Sequence, residues 1–153
     1  MPADNIYDAL RESHKIQRAL CTKLLRAAPH GDLRRELYQE LKIELAAHAA
    51  AEERFLYALI LKDDMGLDSS RHAMSEHHKI DELVEELGKA KFQGGSWLAK
   101  AKKLSDEVRH HLREEEKKFF QVSGKILSDA QKKNLADQYL EDYQRLKSAL
   151  ARQ

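Results

Sequence analysis

The sequence predicts an all-α fold, an antiparallel up-down four-helix bundle with an additional C-terminal helix. Charged residues make up 35% of the 153 residues, and apolar residues recur at intervals of three and four, as in amphipathic helices. The only two prolines lie before residue 30. Short breaks separate the periodic segments, and short connections make successive helices antiparallel neighbours.

The first two helices are predicted in the N-terminal part of the chain. A helical period of apolar residues from Ile6 to Leu25 indicates helix one over about residues 4–28. Pro29 and Gly31 end this helix, because both residues interrupt helical segments. Asp32 then supplies an N-cap for helix two, over about residues 33–62.

Three further helices follow. A turn over residues 65–70 precedes helix three, at about 71–92, and the Gly94-Gly95 pair precedes helix four, at about 97–122. Ser128 and Gln131 form a capping box at the start of helix five, about 128–152. We expect helix five to pack outside the bundle, which covers about residues 4–122. Helix five carries no histidine, so we expect it not to contribute to a site.

Composition limits the class of function. The 27 basic and 26 acidic residues give a net charge of +1, so nothing indicates nucleic-acid binding. No apolar run approaches the roughly 20 residues of a membrane span, and the N-terminus lacks signal-peptide features. The single cysteine, Cys21, cannot form an internal disulfide. We expect a single cytoplasmic domain over residues 1–153, with no membrane partner.

A histidine followed four residues later by a glutamate occurs twice in the chain. Residues four apart lie on the same face of a helix, so each pair can direct an imidazole nitrogen and a carboxylate to one point. The offset that carries the first pair onto the second also relates two more histidines, on helices one and three. The six candidate metal ligands are His14, His48, Glu52, His77, His111 and Glu115.

The predicted boundaries place these histidines at one depth along the bundle. The depths agree within about 2 Å between helices one and two and between helices three and four. Between helices two and three the match is poorer, because His77 lies only six residues after Arg71. A lone buried histidine is usually just hydrogen-bonded, but the repeat favours metal ligands. Imidazole with carboxylate suits iron, manganese or zinc. Six ligands exceed the three or four of one zinc ion, which favours two metals.

These residues resemble the hemerythrin-like, or HHE cation-binding, domain. The flanking segments Glu76-His77-His78-Lys79-Ile80-Asp81-Glu82-Leu83 and Glu114-Glu115-Glu116-Lys117-Lys118-Phe119-Phe120 agree with it, and the resemblance covers about residues 4–122. It implies a four-helix bundle holding two iron ions with an oxo or hydroxo bridge. It also implies binding of dioxygen, handling of hydrogen peroxide or nitric oxide, or sensing of iron and oxygen.

The chain departs from that family pattern at two places. Oxygen-carrying hemerythrins have a fifth histidine where this chain has Asp81, and a proline that often follows each glutamate is replaced by Ala58 and Gln121. Two six-coordinate irons offer about twelve coordination positions. Two bridging glutamates fill four of them, four histidines fill four and one bridging oxygen fills two, which leaves two positions open. Only one stays open if Asp81 binds. We hypothesise that Asp81 is a ligand or lies within one water of the metal.

The sequence leaves three functions open. One open coordination position suits reversible dioxygen binding, whereas two suit peroxide chemistry, nitric oxide capture or sensing. One possibility is a carrier, scavenger or sensor, and another is an enzyme with catalase- or oxidase-like activity. A third possibility is a regulatory or interaction bundle with a structural metal. The sequence does not indicate the oligomeric state.

Residues around the six ligands receive simpler interpretations. Glu44 and Glu107 each lie one turn before a ligand histidine, and we hypothesise that they accept its other N–H. Tyr57 and Phe120 lie one turn past the glutamates, and we expect them to pack in the core without touching a ligand. The four remaining histidines, His30, His72, His78 and His110, are predicted to lie outside the site.

Overall fold

The computed structural model describes residues 4–153, which form helices and connecting turns without any strand. The all-α prediction, including the additional C-terminal helix, is confirmed. The helices are α1 (Ile6–Arg26), α2 (33–61), α3 (Leu67–Lys89), α4 (97–126) and α5 (Asp129–Ala151).

Several helix ends differ from the predicted positions. Helix α3 begins at Leu67, four residues earlier than predicted, and α4 continues to residue 126 rather than 122. The earlier start of α3 accounts for much of the depth mismatch, since His77 now lies ten residues into its helix. Asp32 occupies the N-cap position of α2 without a side-chain hydrogen bond. The predicted capping box of Ser128 and Gln131 is present.

Helices α1 to α4 form the bundle. Helix α1 packs against α2 and α4, and α3 packs against the other sides of α4 and α2. Helix α5 packs against α1 and α2. Within residues 4–153, no helix is both long enough and apolar enough to cross a membrane.

Two apolar clusters fill the bundle, and the candidate ligands lie between them along the helices. One cluster includes Cys21, Leu87 and Trp97, all fully buried. The other includes Leu56 and the tyrosines of α5. Burial of these side chains removes apolar surface from water, which is the main driving force for packing the five helices. The polar layer is therefore enclosed on both sides by hydrophobic core.

Helices α2 and α4 each contain one π-helical segment, Glu53–Tyr57 and Glu115–Phe119. The wider π turn bonds residue i to i+5 and occurs often at functional sites. In α2 this turn lets Glu52, Leu56 and Tyr57 all point inward, each fully buried. The π segments were not predicted, because the apolar pattern of the sequence continues through them.

Candidate metal centre

Imidazoles and carboxylates from all four bundle helices meet in the buried layer. Their ligand atoms form two groups, and within each group the atoms lie within 4.8 Å of one another. Both glutamates belong to both groups, whereas each histidine belongs to one. The first group is His14, His48, Glu52 and Glu115, and the second is Glu52, His77, His111 and Glu115.

Each glutamate lies between two histidines from different helices. The Nε2 atoms of His48 and His77 are both 3.2 Å from Oε1 of Glu52. Around the second glutamate, the Nε2 atoms of His14 and His111 are 3.2 and 3.5 Å from the carboxylate oxygens. This arrangement fits two cations that share both carboxylates and take two imidazoles each.

Seven buried polar atoms in this layer lack a hydrogen-bond partner. They are Nε2 of all four histidines, both carboxylate oxygens of Glu52 and Oε1 of Glu115. Buried polar groups without partners cost free energy, so such a concentration at one point is unusual for a packed core. Cations would satisfy all of these atoms at once, and the nitrogen and oxygen donors therefore fit a metal centre.

The Nδ1 atoms of three histidines face carboxylates. An ionised carboxylate only accepts hydrogen bonds, so it holds the proton on Nδ1 and leaves the Nε2 lone pair for a metal. The three pairs are His14 with Glu116 at 2.7 Å, His77 with Glu53 at 3.3 Å, and His111 with Glu76 at 2.8 Å.

The fourth histidine, His48, has a different partner. Its Nδ1 lies 2.8 Å from the hydroxyl of Tyr139, which is fully buried on α5. The expectation that α5 would not contribute to the site is therefore wrong. It considered only histidines, whereas a tyrosine is long enough to reach a ligand from a helix outside the bundle.

The hypothesis for Glu44 and Glu107 is also wrong. Glu44 is buried but accepts hydrogen bonds from Ser13 at 2.6 Å and from Tyr143 at 2.6 and 2.7 Å. Glu107 forms an ion pair with Lys79 at 3.2 Å. Both carboxylates are held by partners on neighbouring helices, so neither accepts the N–H of the histidine one turn on.

The sequence did contain a signal for two of the carboxylates that the hypothesis missed. Glu53 and Glu116 are related by the same offset as the ligand pairs, and each directly follows a ligand glutamate. Glu76 directly precedes His77. Adjacent residues point in different directions on a helix, so their partners are histidines of other helices.

Tyr57 also departs from its expected role. Its hydroxyl donates a hydrogen bond to Glu115, and its ring stacks on that of His77 with the centroids 5.3 Å apart. Burial, and then the charges of Glu115 and Glu52, raise the pKa of Tyr57 well above 10. It is therefore a neutral phenol inside the site. Phe120 packs against His14, with ring centroids 6.0 Å apart.

Opposite charges shape the electrostatics of the layer. Burial opposes the charged form of both histidines, but the adjacent carboxylates of Glu115 and Glu116 raise the pKa of His14 to about 9. Those of Glu52 and Glu53 raise the pKa of His77 to about 10. Burial likewise opposes ionisation of Glu52, yet His48 and His77 hold its pKa well below 4.5. The layer thus combines anionic carboxylates with imidazoles whose protons a metal would displace.

Asp81 lies outside both groups of converging atoms, and its side chain is exposed. Burial of part of its carboxyl group nevertheless raises its pKa above 3.8. Its role as a ligand stays a prediction. The four remaining histidines, His30, His72, His78 and His110, are exposed, as expected.

A surface cleft of about 370 Å³ leads to one side of the site, between α3 and α4. Ala73 and Phe119 form part of its wall, and His72 lies at its exposed rim. Its inner end reaches His111 and Glu115. A small molecule could therefore approach the second group of ligands from solvent.

The bundle and its paired clusters of histidine and glutamate define a cation-binding helical domain. The family model of the hemerythrin HHE cation binding domain matches residues 5–122, and the chain belongs to this family. The resemblance predicted from the sequence is confirmed. Helix α5 lies beyond the matched residues.

Two relatives illustrate the relationship. The chain is similar to the crystal structure of a hemerythrin HHE cation-binding domain-containing protein from Mycobacterium kansasii, with 20% identity and a TM-score of 0.86. That match covers 95% of this chain and 88% of the other, and at this identity it shows the fold alone. A DNA nickase of Nostoc sp. is 25% identical over 135 residues. The match covers 88% of this chain but only 38% of the nickase.

Proposed function

We propose that the protein is a non-haem di-iron protein that binds or reacts with a small oxidant or gas, namely dioxygen, hydrogen peroxide or nitric oxide. The observation that carries this proposal is the set of four unpartnered Nε2 atoms around two shared glutamates. Two iron ions would supply redox chemistry and coordination positions for the small molecule. Manganese and zinc are the alternative metals for these donors. We expect the protein to act in the cytoplasm.

The residues of the chain hold the site ready for such ions. Glu53, Glu76 and Glu116 orient three imidazoles, so little reorganisation is needed when a metal binds. The apolar clusters on both sides exclude bulk water from the layer. Tyr57 places a neutral hydroxyl beside Glu115, where it can donate a hydrogen bond to a carboxylate or to a bound small molecule.

Access supports a small partner rather than a large one. The cleft reaches His111 and Glu115, while the other ligands are covered by the bundle and by α5. All six ligand residues are at most 5% exposed. A gas or peroxide fits this route, whereas a polymer chain would reach none of the buried donors.

Metal analysis of the purified protein, combined with its ultraviolet-visible spectrum, tests the proposal. We expect about two irons per chain and absorption bands of an oxo-bridged iron pair that change with dioxygen, peroxide or nitric oxide. The double variant His48→Ala/His111→Ala should lose the bands, whereas His78→Ala, an exposed histidine paired with Glu82, should keep them. Iron-free protein, or iron whose spectrum no oxidant alters, would contradict the proposal.

Oxygen evolution separates an enzyme from a carrier, scavenger or sensor. Peroxide added to the iron-loaded protein should release dioxygen repeatedly if the activity is catalase-like. A single spectral change without turnover would indicate a binding or sensing role. A variant lacking Glu115, such as Glu115→Ala, provides the inactive control because both ligand groups include this residue.

The second candidate is a regulatory or interaction domain in which the metal is structural. The similarity to the DNA nickase favours it, since the matching region forms less than two fifths of that longer protein. The net charge of +1 offers little attraction for a nucleic-acid backbone. Metal removal would then unfold the domain, and oxidants would leave its spectrum unchanged.

A further inference from the structure

The two groups of ligands differ in the side chains that face the Nδ1 atoms of their histidines. For His77 and His111, both Nδ1 atoms face carboxylates. In the other group, the Nδ1 of His14 faces a carboxylate, but that of His48 faces the phenol of Tyr139 at 2.8 Å. The internal repeat of the sequence therefore includes the partners of His14 and His77, which are Glu116 and Glu53. It does not include the partners of His48 and His111, which are Tyr139 and Glu76.

The difference can be traced to one position of the repeat. By the offset that carries His14 onto His77, Glu76 on α3 corresponds to Ser13 on α1. The hydroxyl of Ser13 donates to Glu44 at 2.6 Å rather than to His48. Tyr139 takes the place that a carboxylate would fill, and it comes from α5, outside the residues matched by the family model.

A phenol and a carboxylate affect an imidazole differently. The carboxylate can only accept, so it fixes the Nδ1–H tautomer, and its charge makes Nε2 a stronger donor to a metal. A neutral phenol both donates and accepts, so it permits either tautomer and adds no negative charge. His48 is consequently the weakest imidazole donor of the four.

We propose that Tyr139 is the positioning residue of His48, and that the His14–His48 position binds its divalent cation more weakly than the His77–His111 position. This inference rests on the proposed function, because it requires two ions per chain. It gives the C-terminal helix a role in the metal centre: α5 completes one of two unequal positions. The unequal positions would fill in sequence as the cation concentration rises.

Anaerobic titration of the metal-free protein with Co²⁺, followed by visible absorption, tests the inference. We expect two steps in the wild-type protein, one ion per step. Tyr139→Phe should move the weaker step to about 10- to 100-fold higher free Co²⁺ and leave the tighter step in place. Glu76→Gln should instead weaken the tighter step, since Glu76 supports His111 of the other position.

Tyr143→Phe is the matched control, because Tyr143 stacks on Tyr139 and lies on the same helix but hydrogen-bonds Glu44 rather than a ligand. Both steps should stay at their wild-type concentrations, and circular dichroism should show that each variant is folded. As a second readout, the ¹⁵N resonance of His48 Nδ1 in the Zn²⁺-loaded protein should shift in Tyr139→Phe alone.

Two results would overturn the inference. One is a Tyr139→Phe titration identical to the wild type. The other is equal weakening of both steps, which is what a purely structural role of α5 would produce. A wild-type protein that saturates with fewer than two Co²⁺ ions would overturn the proposed function itself, and the inference with it.

Discussion

Nδ1 of His14 lies 2.7 Å from Oε2 of Glu116, a residue 102 positions later in the chain. The carboxylate is also held by Arg18, whose guanidinium nitrogens are 3.2 and 3.3 Å from its oxygens. The hydrogen bond from His14, helped by Arg18 and opposed by burial, lowers the pKa of Glu116 to about 2. Glu116 is thus an ionised acceptor that directs the other nitrogen of His14 into the buried polar layer.

Removing the charge of Glu116 should weaken the binding of one of the two cations. Glu116→Gln is expected to reduce affinity for the cation at the His14 position by about 10- to 100-fold, because an amide no longer guarantees the Nδ1–H tautomer. Isothermal titration calorimetry of the metal-free variant with Zn²⁺ measures the change. Glu12→Gln, an exposed residue of the same charge paired with Lys15, is the control. Equal affinities for the two variants would refute the role of Glu116.

Metal binding should release protons at pH 7. His14 and His77, with pKa values of about 9 and 10, are both protonated in the metal-free protein at this pH. A metal displaces both protons, so about two should be released per chain, and apparent affinity should rise with pH until about pH 10. Calorimetry in buffers of different ionisation enthalpy counts these protons. A heat that is the same in every buffer at pH 7 would contradict the prediction.

The same shifts determine how the metal-free protein depends on pH. Both folded-state pKa values lie above the ordinary value of 6.5, so the stabilisation from these charged imidazoles is fully present below pH 6.5. It is lost as the pH rises through 9 to 10. Thermal melts of metal-free His77→Gln should show a smaller loss of stability over that range than melts of the wild type. An identical loss would contradict a stabilising contribution from the charged His77 imidazole.

Chelation should destabilise the folded chain. A ligand that binds only the folded state, at 1,000 times its dissociation constant, stabilises it by about 4 kcal/mol. For a chain of this size each kcal/mol corresponds to about 2–4 °C, so removing two such ions should lower Tm by more than about 10 °C. The variant His48→Ala/His111→Ala should show no response to chelator, since each ion has lost an imidazole. Wild-type melts that chelator leaves unchanged would exclude a contribution of metal to stability.

Packing in the apolar cluster around Trp97 should affect the stability of the fold without changing the number of metal ions bound. Leu87→Ala removes a fully buried side chain from the cluster around Trp97 and should cost about 2–5 kcal/mol in urea unfolding. The variant should still bind two ions, because Leu87 belongs to the cluster on one side of the ligands only. Leu98→Ala, at a position 45% exposed, should change stability by less than about 0.5 kcal/mol. A loss of metal from Leu87→Ala would show that the two layers are coupled.

The sequence by itself determined the helices and the six converging residues. Helical periodicity is a local property, so the four-residue spacing of His48 and Glu52 already places both on one face. The repeat of that spacing at His111 and Glu115, together with short connections, was enough to predict that four helices meet at one depth. The capping box at Ser128 is equally local and was predicted correctly.

Tertiary structure alone decided which atoms contact each other. The partners of the Nδ1 atoms lie 24 to 102 residues away in the chain, and the rotation of each packed helix selects among several acidic residues nearby. Glu44 was an equally good candidate by spacing, but Ser13 and Tyr143 hold it elsewhere. The π turns, the hydroxyl of Tyr57 and the reach of Tyr139 from α5 also depend on packing between helices, which no periodicity within a single helix encodes.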